Sequence, residues 1–402
     1  YSSGSEKRDA EYESPDTSAE GYYRQGGFSD GNPISSTGKG GPLSGGTNRQ
    51  IDLQSPSNRG QESTDVGNVP NLKWRFSDSK TRLLSGGWVR QQLITDLPSS
   101  KDISGAQQHL KHKVTEWGYV YAGRVAISAV DEDAKNQYDV LEKGDVWYFH
   151  KGAAHGVEGL DNDDEFLLVF DEGDFEAPGT TFNVDDWLTH TPRDILARSL
   201  GVNESELAGL QQTPYIVAAT NSSGGASGEG IDHPYGNLAD GNGSYVKHSK
   251  DVAPIVAPGG GGTIQIFDSR SFPISKTLAT SVVTLKPGAL RELHWHPAAE
   301  GRVYFVSGQG RATIFAGNAR SRTFDFSAGN TAVFPDNSGH YVENTSQTDD
   351  LVWIEVFKAD RVADISLTQW LALTPAPYVA QVLNVSVATV QKLKKEKQLI
   401  PA

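Results

Sequence analysis

The chain has 402 residues, with 36 Lys plus Arg against 50 Asp plus Glu, so its formal net charge is −14 with neutral histidines. This balance argues against a nucleic-acid or anionic-membrane partner, because both require a basic face. Cysteine is absent, which excludes disulfides and thiol chemistry, and no apolar run is long enough to cross a bilayer. The chain starts at Tyr1 and has no methionine, which we interpret as a processed chain whose signal peptide has been removed.

Composition divides the chain into four segments. Residues 1–67 are rich in Ser, Gly, Asp, Glu and Asn and contain few aliphatic side chains. Such a segment cannot bury enough apolar area to offset the entropy lost on ordering, so we expect a flexible low-complexity arm. Residues 221–244 are also poor in apolar side chains and are expected to be a linker. This linker separates two globular domains, 68–220 and 245–402.

The two globular segments repeat each other, which is the main organisational feature of the chain. Pro98 aligns with Pro273 at an offset of 175 residues, and His155 aligns with His340 at an offset of 185. In both copies, short runs of alternating apolar and polar residues are interrupted by Gly, Pro, Asn and Asp. That pattern is typical of an antiparallel sandwich or barrel. The sequence therefore predicts an all-β fold of two duplicated barrels, each followed by short helical segments.

Four residues of the second copy have the types and spacing of a metal site. His294 and His296 are separated by one residue, so on a strand both side chains point to the same face. Glu300 follows four residues later, and His340 comes forty residues after Glu300, behind a turn. Three imidazoles and one carboxylate suit a first-row divalent ion. Six-coordinate Mn or Fe would keep two positions open, whereas a closed structural zinc site usually contains cysteine.

The motifs from Gly288 to Glu300 and from Gly329 to Asn344 resemble the paired motifs of the cupin superfamily, and two copies make a bicupin. Over residues 68–400, segments such as LKPGALRELHWHP, HYVENT and DISLTQWLALTP are similar to fungal and bacterial oxalate decarboxylases. The resemblance implies jelly-roll cupin barrels, one or two Mn2+ per chain, and cleavage of oxalate to formate and carbon dioxide with O2 as co-substrate. Bicupins often assemble, so a homo-oligomer is among the expectations.

The resemblance also implies catalytic roles for two residues of the second copy. Arg291 matches the arginine that orients the substrate, and a guanidinium suits bidentate recognition of a carboxylate. Its position three residues before His294 would place it on the opposite face unless the strand bends. Glu355, in the run WIEVF, matches a glutamate near the second metal. Desolvation in an apolar strand is expected to raise its pKa, which suits proton transfer, and pairing with Arg291 is compatible with that role.

The first copy departs from the pattern near its metal site. The offset jumps from 175 to 184 residues after Lys111, so counterparts of residues 287–295 are missing. Either the deletion is real and the first site is damaged, or the protein has nine residues that this sequence lacks. We favour the second interpretation, because losing a central barrel strand would open a sheet edge and remove core side chains. Three of the four expected ligands are present in this copy: His112, Glu116 and His155.

The choice of product is expected to depend on a loop after the last strand of the first copy. In the family this loop carries a proton-donating glutamate, and Glu176 lies near that position, although the surrounding residues differ. A carbon radical that is protonated leaves as formate, whereas one that is oxidised leaves as carbon dioxide with hydrogen peroxide. The leading hypothesis is an oxalate decarboxylase. The alternatives are a bicupin oxalate oxidase and a non-enzymatic storage or binding bicupin.

The chain contains five Asn-x-Ser/Thr acceptors for N-glycosylation. Together with the processed start and the acidic charge, they predict a secreted glycoprotein. One acceptor, Asn344, belongs to the His340 motif, so we expect it to be buried and unmodified. The acceptors are Asn203, Asn221, Asn242, Asn344 and Asn384.

Overall fold

A computed structural model describes residues 64–84, 87–110, 117–161, 163–175, 183–210, 231–297 and 299–401. These residues form two compact units. The amino-terminal unit consists of Phe76–Ala253 and Phe267–Ala279, and the carboxy-terminal unit consists of Pro254–Ile266, Thr280–Ala402 and the segment that ends at Arg75. The expected arm, except for its last four residues, and part of the expected linker lie outside the described residues.

Most of the secondary structure in the described residues is β-strand. The strands, in chain order, are β1 (Lys73–Arg75), β2 (Arg82–Leu84), β3 (Gly87–Gln92), β4 (Ser104–Leu110), β5 (Trp117–Ala122), β6 (Val125–Val130), β7 (Asn136–Leu141), β8 (Val146–Trp147), β9 (Ala154–Gly159), β10 (Asp164–Phe170), β11 (Val246–Lys247), β12 (Ile255–Val256), β13 (Gly262–Phe267), β14 (Ala279–Leu285), β15 (Leu290–Trp295), β16 (Gly301–Ser307), β17 (Gln309–Phe315), β18 (Ser321–Ser327), β19 (Asn330–Phe334), β20 (Gly339–Asn344), β21 (Leu351–Phe357) and β22 (Ile365–Ser366). The helices are α1 (Val184–Thr189), α2 (Arg193–Leu200), α3 (Leu367–Leu373), α4 (Ala376–Leu383) and α5 (Val387–Gln391).

Each unit contains two antiparallel sheets. In the carboxy-terminal unit the strand orders are β1-β19-β16-β21-β14-β13-β12 and β18-β17-β20-β15-β22. In the amino-terminal unit they are β11-β8-β5-β10-β4-β3-β2 and β7-β6-β9. The expected duplicated all-β architecture is therefore confirmed. The short strand β1 lies at the start of the first globular segment but pairs with β19 of the second, while β11, at the start of the second segment, pairs with β8 of the first.

The helices lie after the last strand of each repeat, as expected. Helix α2 follows Pro192 and helix α4 follows Pro375, because proline lacks the N–H that a first helical turn would leave unpaired anyway. Both helices end at residues in the left-handed region, Gly201 at φ +69° and Asn384 at φ +54°. None of the described helices is long and apolar enough to span a membrane.

Close packing inside the amino-terminal unit depends on one glycine. The buried rings of Trp147 and Phe166 meet edge to face, with centroids 5.3 Å apart. A Cβ atom at Gly118 would lie 1.9 Å from Cζ2 of Trp147. Only glycine therefore leaves room for the indole against β5, in a closely packed interior.

The two units differ in their smaller sheets. In the carboxy-terminal unit β15 and β22 extend the sheet beyond β20, whereas β9, the counterpart of β20, is the last described strand of its sheet. Six residues separate Leu110 from Trp117, but fifteen separate Leu285 from Gly301. Within the described residues, the smaller sheet of the amino-terminal unit therefore contains no counterpart of β15.

Asp145 fixes the segment that follows β11 and makes stability depend on pH. Its Oδ2 lies 2.7 Å from Nδ1 of His248, and its Oδ1 accepts the N–H of Ser249 at 2.8 Å. The hydrogen bond to Asp145 raises the pKa of His248. Burial raises the pKa of Asp145, but hydrogen bonds from His248, Glu142 and Ser249 outweigh burial and lower it overall.

The signs of these shifts define the pH range in which the pair stabilises the fold. A raised pKa at His248 gives stability that is present below about pH 6.5 and is lost as the pH rises through the folded-state pKa. A lowered pKa at Asp145 gives stability that is present above about pH 4 and is lost at more acidic pH. We expect His248→Gln to lower the free energy of unfolding by about 1 kcal/mol near pH 5 and by less at pH 8. Denaturant titrations at both values measure this, with the exposed His190→Gln as control. An equal loss at both pH values would contradict the assignment.

Candidate metal centre

Three histidine side chains converge inside the carboxy-terminal unit. His294 lies on β15 directly opposite His340 of β20, and His296 follows the end of β15. One ring nitrogen from each of the three lies within 4.8 Å of the other two. The ring centroids of His294 and His340 are 4.4 Å apart, and all three side chains are buried.

Main-chain carbonyls fix the orientation of all three rings. In His294, Nδ1 lies 2.6 Å from the carbonyl oxygen of Glu292. In His340, Nδ1 lies 2.8 Å from the carbonyl oxygen of Ser338. In His296, Nδ1 lies 3.2 Å from the carbonyl oxygen of Ala363. A carbonyl only accepts, so each Nδ1 carries the proton and each Nε2 carries a lone pair. The three Nε2 atoms are buried and have no hydrogen-bond partner in the described part of the chain. Such donors fit a divalent metal ion.

Burial keeps the imidazoles of His294 and His340 neutral. Desolvation, reinforced by the charge of Arg291, lowers the pKa of His294 far below its ordinary value. Desolvation also lowers the pKa of His340 to about 3. The rings of Phe334 and Phe357 form apolar walls, with centroids 4.5 Å from His340 and 4.6 Å from His296. Neutral imidazoles can bind a metal without first losing a proton.

Glu300, the expected fourth ligand, lies just before β16 and is half-buried. Its carboxylate is not among the ligand atoms that gather within 4.8 Å around the three imidazoles. A second carboxylate beside them belongs to Glu355, whose Oε1 lies 3.2 Å from Nε2 of His296. The structure therefore brings together the three expected histidine ligands. The role of Glu300 as the fourth ligand stays a prediction.

The carboxylate of Glu355 reaches the centre because Gly301, on the neighbouring strand β16, has no side chain to block it. A Cβ atom at Gly301 would lie 2.4 Å from Oε1 of Glu355. The expected rise in the pKa of Glu355 is wrong. Desolvation does raise the pKa and is the largest single cause, but interactions with His296, His340 and Arg291 outweigh it and lower the pKa overall. The sequence expectation considered burial in the strand and missed the interactions with these side chains of other segments.

Arg291 lies beside the histidines because β15 is not a straight strand. Arg291 pairs with Val342 and His294 pairs with His340, so β15 has one more residue than β20 over this stretch. Because of this bulge, Arg291 and His294 lie on the same face of the sheet although they are three residues apart. The guanidinium is buried, and desolvation lowers its pKa to about 10. Arg291 and Glu355 are close enough for each to shift the other's pKa.

The amino-terminal unit repeats one histidine of this arrangement. Nδ1 of His155 lies 2.5 Å from the carbonyl oxygen of Ala153, and its ring stacks on Phe149 at 4.0 Å. Its Nε2 is buried without a hydrogen-bond partner among the described residues, and desolvation lowers its pKa to about 4. The other candidates of this half, His112, Glu116 and Glu176, lie outside the described residues.

Sequence reasoning missed two residues that shape the centre. Gly301 follows Glu300 directly, and its position at the start of a strand was the available signal, since glycine there marks a close approach. Asp364 forms an ion pair with Arg291, but it lies 73 residues along the chain and no local pattern marks it.

Comparisons with known proteins agree with this site. The family model described as Cupin matches residues 106–208 and 251–391. A probable oxalate decarboxylase of Arthroderma benhamiae is 53% identical over 380 residues, covering 92% of this chain and 93% of that protein. Oxalate decarboxylase OxdC of Bacillus subtilis is 36% identical over 359 residues, covering 87% and 91%. A structure of Bacillus subtilis oxalate decarboxylase, solved for work on its Mn(II) centres, is similar with a TM-score of 0.84 and 34% identity, covering 92% of this chain and 99% of that one.

The described residues contain one histidine triad, so we expect one strong metal site per chain. A chain with this sequence, purified from Mn2+-supplemented cells, should contain about one equivalent of metal, because among the described residues three pre-oriented imidazoles come together in the carboxy-terminal unit alone. Elemental analysis should find that His340→Ala removes this metal and that the matched variant His155→Ala does not. Two equivalents in the parent chain, one of them lost in His155→Ala, would contradict the prediction.

Proposed function

This chain belongs to the bicupin oxalate decarboxylase family, and we propose that it is a manganese-dependent oxalate decarboxylase that converts oxalate to formate and carbon dioxide. One observation carries the proposal. Three pre-oriented imidazoles, His294, His296 and His340, lie in a buried pocket beside a guanidinium and a carboxylate, Arg291 and Glu355. Metal ligation, anion binding and proton transfer are the three capacities that this reaction requires.

The donor set supports manganese as the metal. Imidazole nitrogens bind first-row divalent ions, and selection among these ions depends on geometry and availability. The relative whose structure is similar to this chain has Mn(II) centres. When bound, the ion supplies Lewis acidity and a one-electron relay, with O2 as the co-substrate that accepts charge transiently. We propose that His294, His296 and His340 hold it, with Glu300 as a further ligand.

Arg291 is suited to bind and orient oxalate. Oxalate carries two carboxylates, and a guanidinium recognises one carboxylate through two parallel hydrogen bonds. Because Arg291 is buried, its interaction with an anion is screened little by water. If one carboxylate of oxalate binds Arg291, the other carboxylate would point toward the imidazoles.

Glu355 is suited to move the one proton that the reaction needs. Oxalate dianion plus a proton gives formate plus carbon dioxide, so breaking the carbon–carbon bond leaves a carbon that must be protonated. Its lowered pKa makes Glu355 a carboxylate that can accept the proton of hydrogen oxalate. The same group can then return this proton to the carbon that becomes formate.

Product analysis tests the proposed activity. We expect metal-loaded protein at acidic pH to release formate and carbon dioxide in equal amounts from oxalate, with little hydrogen peroxide. Hydrogen peroxide as the main product would instead assign the chain as an oxalate oxidase. Absence of turnover in fully loaded protein would favour a storage or binding bicupin.

Substitutions at the two proposed groups should separate binding from proton transfer. Glu355→Gln is expected to lower kcat by about 100-fold or more, because it removes the proton carrier, while metal content stays unchanged. Arg291→Lys is expected to raise KM by about tenfold, because a lysine cannot bind a carboxylate in bidentate fashion. Steady-state formate assays and elemental analysis measure both effects. Unchanged kcat in Glu355→Gln would move proton transfer to another residue, such as Glu176.

We also propose that the protein is secreted and glycosylated. Asn203, Asn242 and Asn384 are exposed, which makes their acceptor amides accessible. Asn344 is buried, and its Nδ2 donates to the carbonyls of Leu285 at 3.0 Å and Asp349 at 2.8 Å. In protein secreted from a glycosylating host, peptide mass spectrometry should find glycans on exposed acceptors and none on Asn344. A glycan on Asn344 would contradict this fold around the His340 motif. A homo-oligomer stays a prediction.

A further inference from the structure

A layer of polar groups lies behind β15. The residues that form it have no proposed catalytic role. Its first part is the segment Ala363–Ser366, which runs into β22. The carbonyl of Ala363 accepts the Nδ1 proton of His296, and the Asp364 carboxylate forms an ion pair with Nη2 of Arg291. One short segment therefore orients both a proposed metal ligand and the proposed substrate-binding arginine.

The second part of this layer is the end of the chain. The carbonyl of Leu399 accepts hydrogen bonds from Nη1 of Arg291 at 3.1 Å and from the N–H of Glu292 at 2.9 Å. The N–H of Leu399 donates to Oε1 of Glu292 at 3.0 Å. Nζ of Lys397 forms an ion pair with the Asp364 carboxylate and donates to the Asp364 carbonyl at 2.9 Å. Both Nη atoms of Arg291 are thus held by this layer.

This end of the chain is packed firmly against the barrel. Ile400 is buried in the main apolar cluster of the carboxy-terminal unit. Leu399 has φ +54°, a left-handed conformation that costs a residue with a Cβ atom about 1 kcal/mol. Such a conformation persists only where surrounding contacts impose it, and the bonds to Arg291 and Glu292 are those contacts.

We propose that residues Lys397–Ile400 form a carboxy-terminal latch that positions Arg291 for oxalate, with Asp364 and Lys397 as its positioning residues. The proposal rests on the proposed function, in which Arg291 binds the substrate. In the described residues the guanidinium makes hydrogen bonds only to Leu399 and Asp364. Its remaining N–H groups stay available for a substrate carboxylate.

Charge balance explains why the latch contains a lysine. Asp364 and Glu292 both pair with the guanidinium of Arg291, so without a further cation this cluster would carry a net negative charge and repel a dianion. Lys397 pairs with the Asp364 carboxylate, and its charge offsets the second carboxylate beside Arg291. Desolvation, together with the nearby Arg291 charge, lowers the pKa of Lys397 to about 8, so it is protonated at the acidic pH of the assay.

Lys397→Met tests the latch in the full-length, metal-loaded protein. We expect KM for oxalate to rise by about tenfold while kcat changes by less than about twofold, since the loss affects ground-state and transition-state binding alike. Calorimetric titration of oxalate under nitrogen should give the same loss in Kd. Lys397→Arg should restore both values, and Asp364→Asn should raise KM at least as far as Lys397→Met.

Lys286→Met is the matched control, because Lys286 forms an exposed ion pair with Asp350 of the same unit at 2.7 Å. This variant should keep the parent KM. Metal content and the thermal midpoint, recorded for every variant, exclude a general loss of folding. An unchanged KM in both Lys397→Met and Asp364→Asn, alongside a raised KM in Arg291→Lys, would overturn the latch and leave the proposed function standing. An unchanged KM in Arg291→Lys would overturn both the role of Arg291 and the latch.

Discussion

The hydrogen bonds that imidazole Nδ1 atoms donate to main-chain carbonyls are the constraint on which the centre depends. For His294 and His340 the acceptor is the carbonyl two residues earlier, so the strand itself sets the tautomer and points Nε2 inward. His155 has the same bond to Ala153. The arrangement therefore belongs to the repeated barrel and arose with its strands. His296 lies past the end of β15 and needs a carbonyl from a distant segment, that of Ala363.

The sequence carries the periodic features of this architecture. Alternating apolar runs predicted the strands, and the one-residue spacing of His294 and His296 predicted a shared face. Local patterns do not reveal what depends on pairing between distant strands. The bulge that brings Arg291 beside His294 is defined by the pairing of β15 with β20. The pairing of β1 with a strand of the second repeat depends on how the whole unit packs. The lowered pKa of Glu355 likewise reflects side chains from two distant segments, β15 with the residue after it and β20.

The comparison of the two units explains why so much depends on a single strand. β15 carries Arg291, Glu292 and His294, and it is the strand that contacts both β22 and the end of the chain. The connection between β4 and β5 is nine residues shorter than its counterpart. The residues without a counterpart include two with proposed functional roles, Arg291 and His294, and most of the strand that the latch contacts. His155 is oriented as a metal ligand would be. One oriented imidazole alone, however, does not form a metal site with several ligands.

The buried charges behind β15 are difficult to explain as stabilising features alone. Arg291, Glu292 and Asp364 are almost fully buried, and replacing buried ion pairs by apolar residues is often neutral or stabilising, because desolvation offsets the Coulomb attraction. An apolar replacement would, however, leave nothing to hold a guanidinium beside the imidazoles. Removing only one partner would leave an uncompensated buried charge, which is costly. The alternation of signs from Lys397 through Asp364 to Arg291 therefore solves one physical problem, which is to keep a cation buried, oriented and still attractive to an anion.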